Sequence, residues 1–124
     1  CALRNPQIYK SVSAFAPICS PLNCPWGELA LTEYLGEDKE SWKAYDATEL
    51  MKSGGWSGNG KILIDQGSSD QFLEDQLKPE LFADACEAVG VEVEINMREG
   101  YDHSYYFISS FIDNHLEFHA SQLS

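Results

Sequence analysis

One stretch of this 124-residue chain limits its fold more than any other: Lys61-Ile-Leu-Ile-Asp-Gln66, a helical pattern, then Val91-Glu-Val-Glu-Ile-Asn-Met97. The first run is apolar without alternation, as in a strand buried on both faces of a parallel sheet. The second alternates strictly, so one of its faces is polar or close to a sheet edge. Between them, Pro79 suits a first helical position, Glu80 and Asp84 put negative charge near the positive end of the dipole, and Gly90 is a stop. Leu77, Leu81, Ala85 and Ala88/Val89 fall on one face of that helix, with Phe82 broadening the stripe. Strand, helix and strand in this order predict a βαβ unit with a right-handed crossover and two parallel strands.

That topology already points to chemistry. In open α/β sheets, ligands bind beyond the carboxyl ends of the strands. The loops there are Gly67-Ser68-Ser69-Asp70-Gln71 and Glu99-Gly100-Tyr101-Asp102-His103. With neighbouring strands about 4.8 Å apart, Asp70 and His103 can reach hydrogen-bond distance. An acid on an imidazole is the second half of a nucleophilic triad: the carboxylate fixes tautomer and orientation, and the ring takes a proton from Ser or Cys. The simpler alternative makes Asp70 a turn cap and His103 a surface loop residue. Ser11, Ser13, Ser20, Ser68 and Ser69 are available as nucleophiles, but none lies in a Gly-x-Ser-x-Gly elbow. Cys19 and Cys24 lack the local signature of a catalytic cysteine.

Elsewhere the pattern is less regular. Lys10 to Ile18 reads as a buried strand closed by Pro17. Cys19 to Gly36, with Pro21 and Pro25, reads as a loop with short helical turns at most, and Gly36 to Lys52 as surface helical turns. Ser53 to Gly60, four of whose eight residues are glycine, reads as a turn or flexible connection. From Ser104 as N-cap, a last helix carries Ile108, Phe111, Ile112, His115 and Phe118/His119 on one stripe. His115 and His119 have the spacing to share a metal, but no acidic or Cys ligand nearby completes a set, so packing and solvent exposure are the expectation and no metal is assigned. The acidic run Glu37 to Glu40 reads as a solvated face.

Composition narrows the function classes. Eight Lys+Arg against 20 Asp+Glu give a net charge of −12, which disfavours nucleic acid and anionic membrane surfaces as partners. No apolar run approaches the ~18 residues that span a bilayer. Cys1, Cys19, Cys24 and Cys86 are too thinly spread for a disulfide scaffold, and reduced thiols in a cytoplasmic protein are expected. The chain starts at Cys1 without a secretory signal pattern, and is expected to begin downstream of something else.

Five blocks carry a resemblance: Lys10-Ser-Val-Ser-Ala-Phe-Ala-Pro-Ile-Cys19, Cys24-Pro-Trp-Gly27, Trp42-Lys-Ala-Tyr-Asp-Ala-Thr48, Leu63-Ile-Asp-Gln-Gly67 with Asp70-Gln-Phe-Leu73, and Glu99-Gly-Tyr-Asp-His-Ser-Tyr-Tyr-Phe-Ile108. In this order they closely resemble the S-formylglutathione hydrolase (esterase D) family. The resemblance implies that residues 1–124 are the C-terminal part of one α/β-hydrolase domain with a mostly parallel sheet, lacking the N-terminal strands and the nucleophile elbow. It implies catalytic roles for Asp70 and His103, with the serine upstream of Cys1, and structural roles for Asp65 and Asp102. Trp26 becomes a lining residue of the acyl pocket. The implied activity is hydrolysis of S-formylglutathione and small carboxylic esters, without metal or organic cofactor, by a cytoplasmic homodimer acting in formaldehyde detoxification. An isolated chain of this kind would expose a strand edge and apolar helix faces.

Overall fold

The strand that the sequence marks as doubly buried is the middle one. In the computed structural model, which describes residues 1–56 and 60–123, β2 (Ile62–Gly67) lies between β1 (Val12–Phe15) and β3 (Val93–Arg98) in a parallel three-stranded sheet. All of β2 is buried. Ile62 pairs with Val12 on one side and Val93 on the other, and Gly67 pairs with Arg98, so β2 and β3 end at the same level. β3 stands at the edge among the described residues, consistent with its alternating pattern.

β1 is shorter than the apolar run around it. Ala16 adopts a φ of 45°, a left-handed conformation that costs about 1–3 kcal/mol in a residue with a side chain and that ends the extended segment. Its N–H still reaches Asp65 O at 2.9 Å.

Two expectations are corrected. Pro25–Leu35 forms α1, a regular 11-residue helix, where a loop is expected. Pro25 occupies its first turn, where a missing N–H costs nothing, and Cys24 Sγ caps it by accepting from Gly27 N at 3.4 Å. The second concerns α4, Pro79–Val89, whose buried face is Pro79, Phe82, Ala85 and Cys86. Leu77 belongs instead to a preceding π-helical turn, Leu73–Leu77, set off by Lys78 at a φ of 43°. Leu81 is half-buried and Ala88 exposed.

The helices cover both faces of the sheet. Between α1 and β2 the chain forms α2 (Lys39–Trp42) and α3 (Ala47–Lys52), α2 being capped by Asp38 of the exposed acidic run. Met51 of α3, Phe82 and Cys86 of α4, and Trp56 enclose Ile62 and Ile64 on one side. α5 (Tyr105–Leu123) lies on the other, where Phe107 packs with Ala16 and Leu77. Ser53 to Trp56 form turns, and Ser57 to Asn59 of the expected Ser53–Gly60 connection lie outside the described residues. No helix among the described residues is long and apolar enough to cross a membrane.

Candidate active site

The two loops at the carboxyl ends of β2 and β3 are joined main chain to main chain. Ser68 N–H donates to Arg98 O and Ser69 N–H to Tyr101 O, both at 3.0 Å, and Gly100 N–H donates to Ser68 Oγ at 3.0 Å. Gly67 makes the approach possible: a Cβ there would lie 2.2 Å from Tyr101 O. Behind His103, Ser104 Oγ accepts from Phe107 N at 3.4 Å, the N-cap geometry that starts α5.

This framework brings Asp70 and His103 together. His103 Nδ1 lies 2.8 Å from Asp70 Oδ2. The carboxylate is fully buried, while the imidazole side chain is 41% exposed. Phe72 N–H donates to Asp70 Oδ1 at 2.8 Å and Gln66 Nε2 to Oδ2 at 3.1 Å. A carboxylate only accepts, so the proton of a neutral His103 ring sits on Nδ1 and Nε2 keeps its lone pair. His103 Nε2 has no hydrogen-bond partner among the described residues. The ring borders a cleft of about 360 Å³ lined by Phe15, Ala16, Ser104, Phe107 and Ile108. The arrangement can take a proton from a hydroxyl or thiol seated in that cleft and return it to a leaving group.

Phe72 stands edge-on to His103, with centroids 5.4 Å apart and planes at 88°. Trp26, 40% exposed at the start of α1, leans on Phe72 at 4.4 Å. It is therefore one ring removed from His103 and lies outside the residues lining the His103 cleft. Asp102 is exposed. Of the described serines, Ser68 holds Gly100 and Ser20 bonds Asp46, and none bonds His103.

Asp65 joins a different network. Its Oδ1 accepts from Arg98 Nε at 3.1 Å and its Oδ2 lies 2.8 Å from His115 Nε2. His115 Nδ1 is 2.7 Å from Ser13 Oγ, which is 2.8 Å from His119 Nε2, and His119 Nδ1 is 2.7 Å from Ser11 Oγ. With both rings neutral, one proton order satisfies every contact: Ser11 to His119, His119 to Ser13, Ser13 to His115, His115 to Asp65. His115 is buried, not solvent-exposed, and Phe15 stacks on it at 3.9 Å. Among the described residues, no group of three or more His, Cys, Asp or Glu side chains gathers to hold a metal ion.

The cysteines are free thiols. Burial, aided by Glu80, Cys86 and Asp46, pushes the Cys19 thiol up to about 12, and burial pushes Cys86 up to about 11. Both are therefore neutral and unreactive near pH 7.

Sequence reasoning missed Gln66 and Phe72. An Asx-turn signal, an aspartate bonding the N–H two residues on, was available for Phe72. Gln66 had the weaker signal of an amide at the end of an apolar strand.

The family model described as Esterase matches residues 1–118. The chain belongs to the esterase family. S-formylglutathione hydrolase of Rattus norvegicus is 55% identical to this esterase chain over 126 residues, and that of Arabidopsis thaliana is 51% identical over 121. These matches cover 100% and 98% of the chain but 44% and 42% of the relatives, so the esterase chain spans less than half their length. Among solved structures, an S-formylglutathione hydrolase from Agrobacterium tumefaciens matches with a TM-score of 0.94 and 47% identity, over 99% of this chain and 44% of that one. The esterase fold is accordingly that of an α/β-hydrolase, represented here by three parallel strands and their helices.

Proposed function

We propose that this chain supplies the acid and the base of a serine hydrolase that cleaves S-formylglutathione to glutathione and formate, with carboxylesterase activity toward small esters. The Asp70–His103 contact carries the reading: a buried carboxylate orients an imidazole whose other nitrogen is free above a cleft. The nucleophile would come from the part of the relatives that this chain does not span, making residues 1–124 the C-terminal part of a single domain. A serine hydroxyl attacks the formyl carbon as His103 Nε2 takes its proton. The carbon–sulfur bond then breaks and the thiolate receives that proton. Water adds to the formyl-serine, His103 again accepts and returns the proton, and formate leaves. None of these steps uses a metal or an organic cofactor. Trp26 and Phe72 would form an aromatic wall beside the base. The acidic charge of −12 disfavours nucleic acid as a partner, and a cytoplasmic homodimer accords with the resemblance.

The test is His103→Gln in a protein of the relatives' full length. Turnover of S-formylglutathione should fall about 10⁶-fold with thermal unfolding nearly unchanged, and near-normal turnover would refute the assignment. Parallel turnover of a simple acetate ester separates a formyl-thioesterase from a general short-acyl esterase.

A further inference from the structure

We infer that Gln66 is a positioning residue for the Asp70–His103 pair: its side-chain amide fixes which carboxylate oxygen faces the imidazole and shares that oxygen's negative charge. The inference rests on the catalytic reading of that pair. Asp70 Oδ1 is held by Phe72 N–H at 2.8 Å, which leaves Oδ2 to be shared between His103 Nδ1 at 2.8 Å and Gln66 Nε2 at 3.1 Å. Among the described residues, Gln66 is the one side chain besides His103 that bonds the carboxylate.

Its orientation is determined by its neighbours. Nε2 also donates to Gly67 O at 3.2 Å, so both amide hydrogens meet oxygen acceptors. Turning the amide over would aim Oε1 at those same oxygens. Oε1 itself has no donor among the described residues, and Gln66 is fully buried. Its polar contacts are therefore all on the donor side, directed at the acid loop. A leucine would fill similar space in the strand without any polar atom to satisfy, so filling alone does not call for an amide. The hydrogen bond has a direct electronic consequence. A second donor on Oδ2 competes with the imidazolium for the same charge, so removing it leaves more negative charge for His103.

The test is an NMR titration of a protein of the relatives' full length, following the His103 ring Cε1–H and the Gln66 Nε2–H₂ protons. In the unaltered protein the Gln66 protons should shift with the same midpoint as His103, and a flat Gln66 trace across that titration overturns the inference. Gln66→Leu should raise the His103 midpoint by about 0.5 pH unit, and Gln66→Met, which likewise offers Oδ2 no donor, should raise it in the same direction. An unchanged midpoint in both folded variants would leave Gln66 a space-filler and also overturn it. Where a variant does not fold, the unaltered protein decides. Failure of the hydrolase reading looks different: full turnover in His103→Gln, with the coupling between Gln66 and His103 intact.

Discussion

Two aspartate–histidine pairs occupy this small structure, each with a nitrogen–oxygen distance of 2.8 Å. Asp70–His103 sits on loops at the rim, bonded through Nδ1, with the other nitrogen free above a cleft. Asp65–His115 sits in the seam between α5 and the sheet, bonded through Nε2, with its other nitrogen on Ser13, itself held by a second imidazole. The histidine side chains are 41% and 3% exposed. Both pairs have the first contact of a triad, and the inner pair even includes a serine. That serine is enclosed by two rings and is not among the residues lining the His103 cleft. An acid beside a histidine is therefore poised for chemistry only when the far nitrogen is unoccupied and faces space. Otherwise the same contact serves as an internal tie.

Exchanging the damage between the two pairs is the sharpest way to break this contrast. In a full-length protein, Asp70→Asn should lower turnover about 10⁴-fold, since an amide can reverse the imidazole tautomer. Its effect on unfolding should be only about 1 kcal/mol. Asp65→Ala should do the reverse, destabilising the chain by about 3–5 kcal/mol because Arg98 and His115 lose a buried anion. Urea unfolding of both variants is the measurement, and equal stability losses would erase the distinction. A smaller loss, about 1–3 kcal/mol, is expected for Ser13→Ala, which leaves His115 Nδ1 and His119 Nε2 facing an apolar methyl.

A pH series tests the opposite face of the sheet as a control. Because the fold holds the Cys19 and Cys86 thiols up at about 12 and about 11, the folded chain keeps protons that the unfolded chain releases from about pH 8.5. Their contribution to stability is complete below that pH and is lost as pH rises through 11 and 12. Thermal unfolding between pH 8 and 11 should thus drift downward, and Cys19→Ala should flatten the drift without moving either histidine.

The contrast also marks what could be read in advance. The unbroken apolar run of β2 and the alternating run of β3 place Asp70 and His103 on one edge through topology, which depends on local pattern. The contents of the α5 seam depend on which residues meet across more than a hundred positions, as Ser11 and His119 do; spacing on α5 shows a stripe and not its partners. α1 is hidden for another reason. Pro25 and Gly27 read as breakers, yet the proline sits where helices accept it and the glycine lies against Pro21, whose carbonyl oxygen would be 2.2 Å from an added Cβ. The stripe expected on α4 slips because a left-handed Lys78 detaches Leu77 from the helix.

Gly67 makes the dyad a property of the main chain before it is one of the side chains. The carbonyl of Tyr101 occupies the place where any L-residue at position 67 would put its first carbon. Even alanine would have to wedge the acid loop from the base loop while leaving Asp70 and His103 chemically unaltered. A library randomised at position 67 and selected for turnover should therefore return glycine, whereas one randomised at Gln71, whose side chain is exposed at the same rim, should return many residues. Tolerance along this loop would then map contact distance and not closeness in sequence to Asp70.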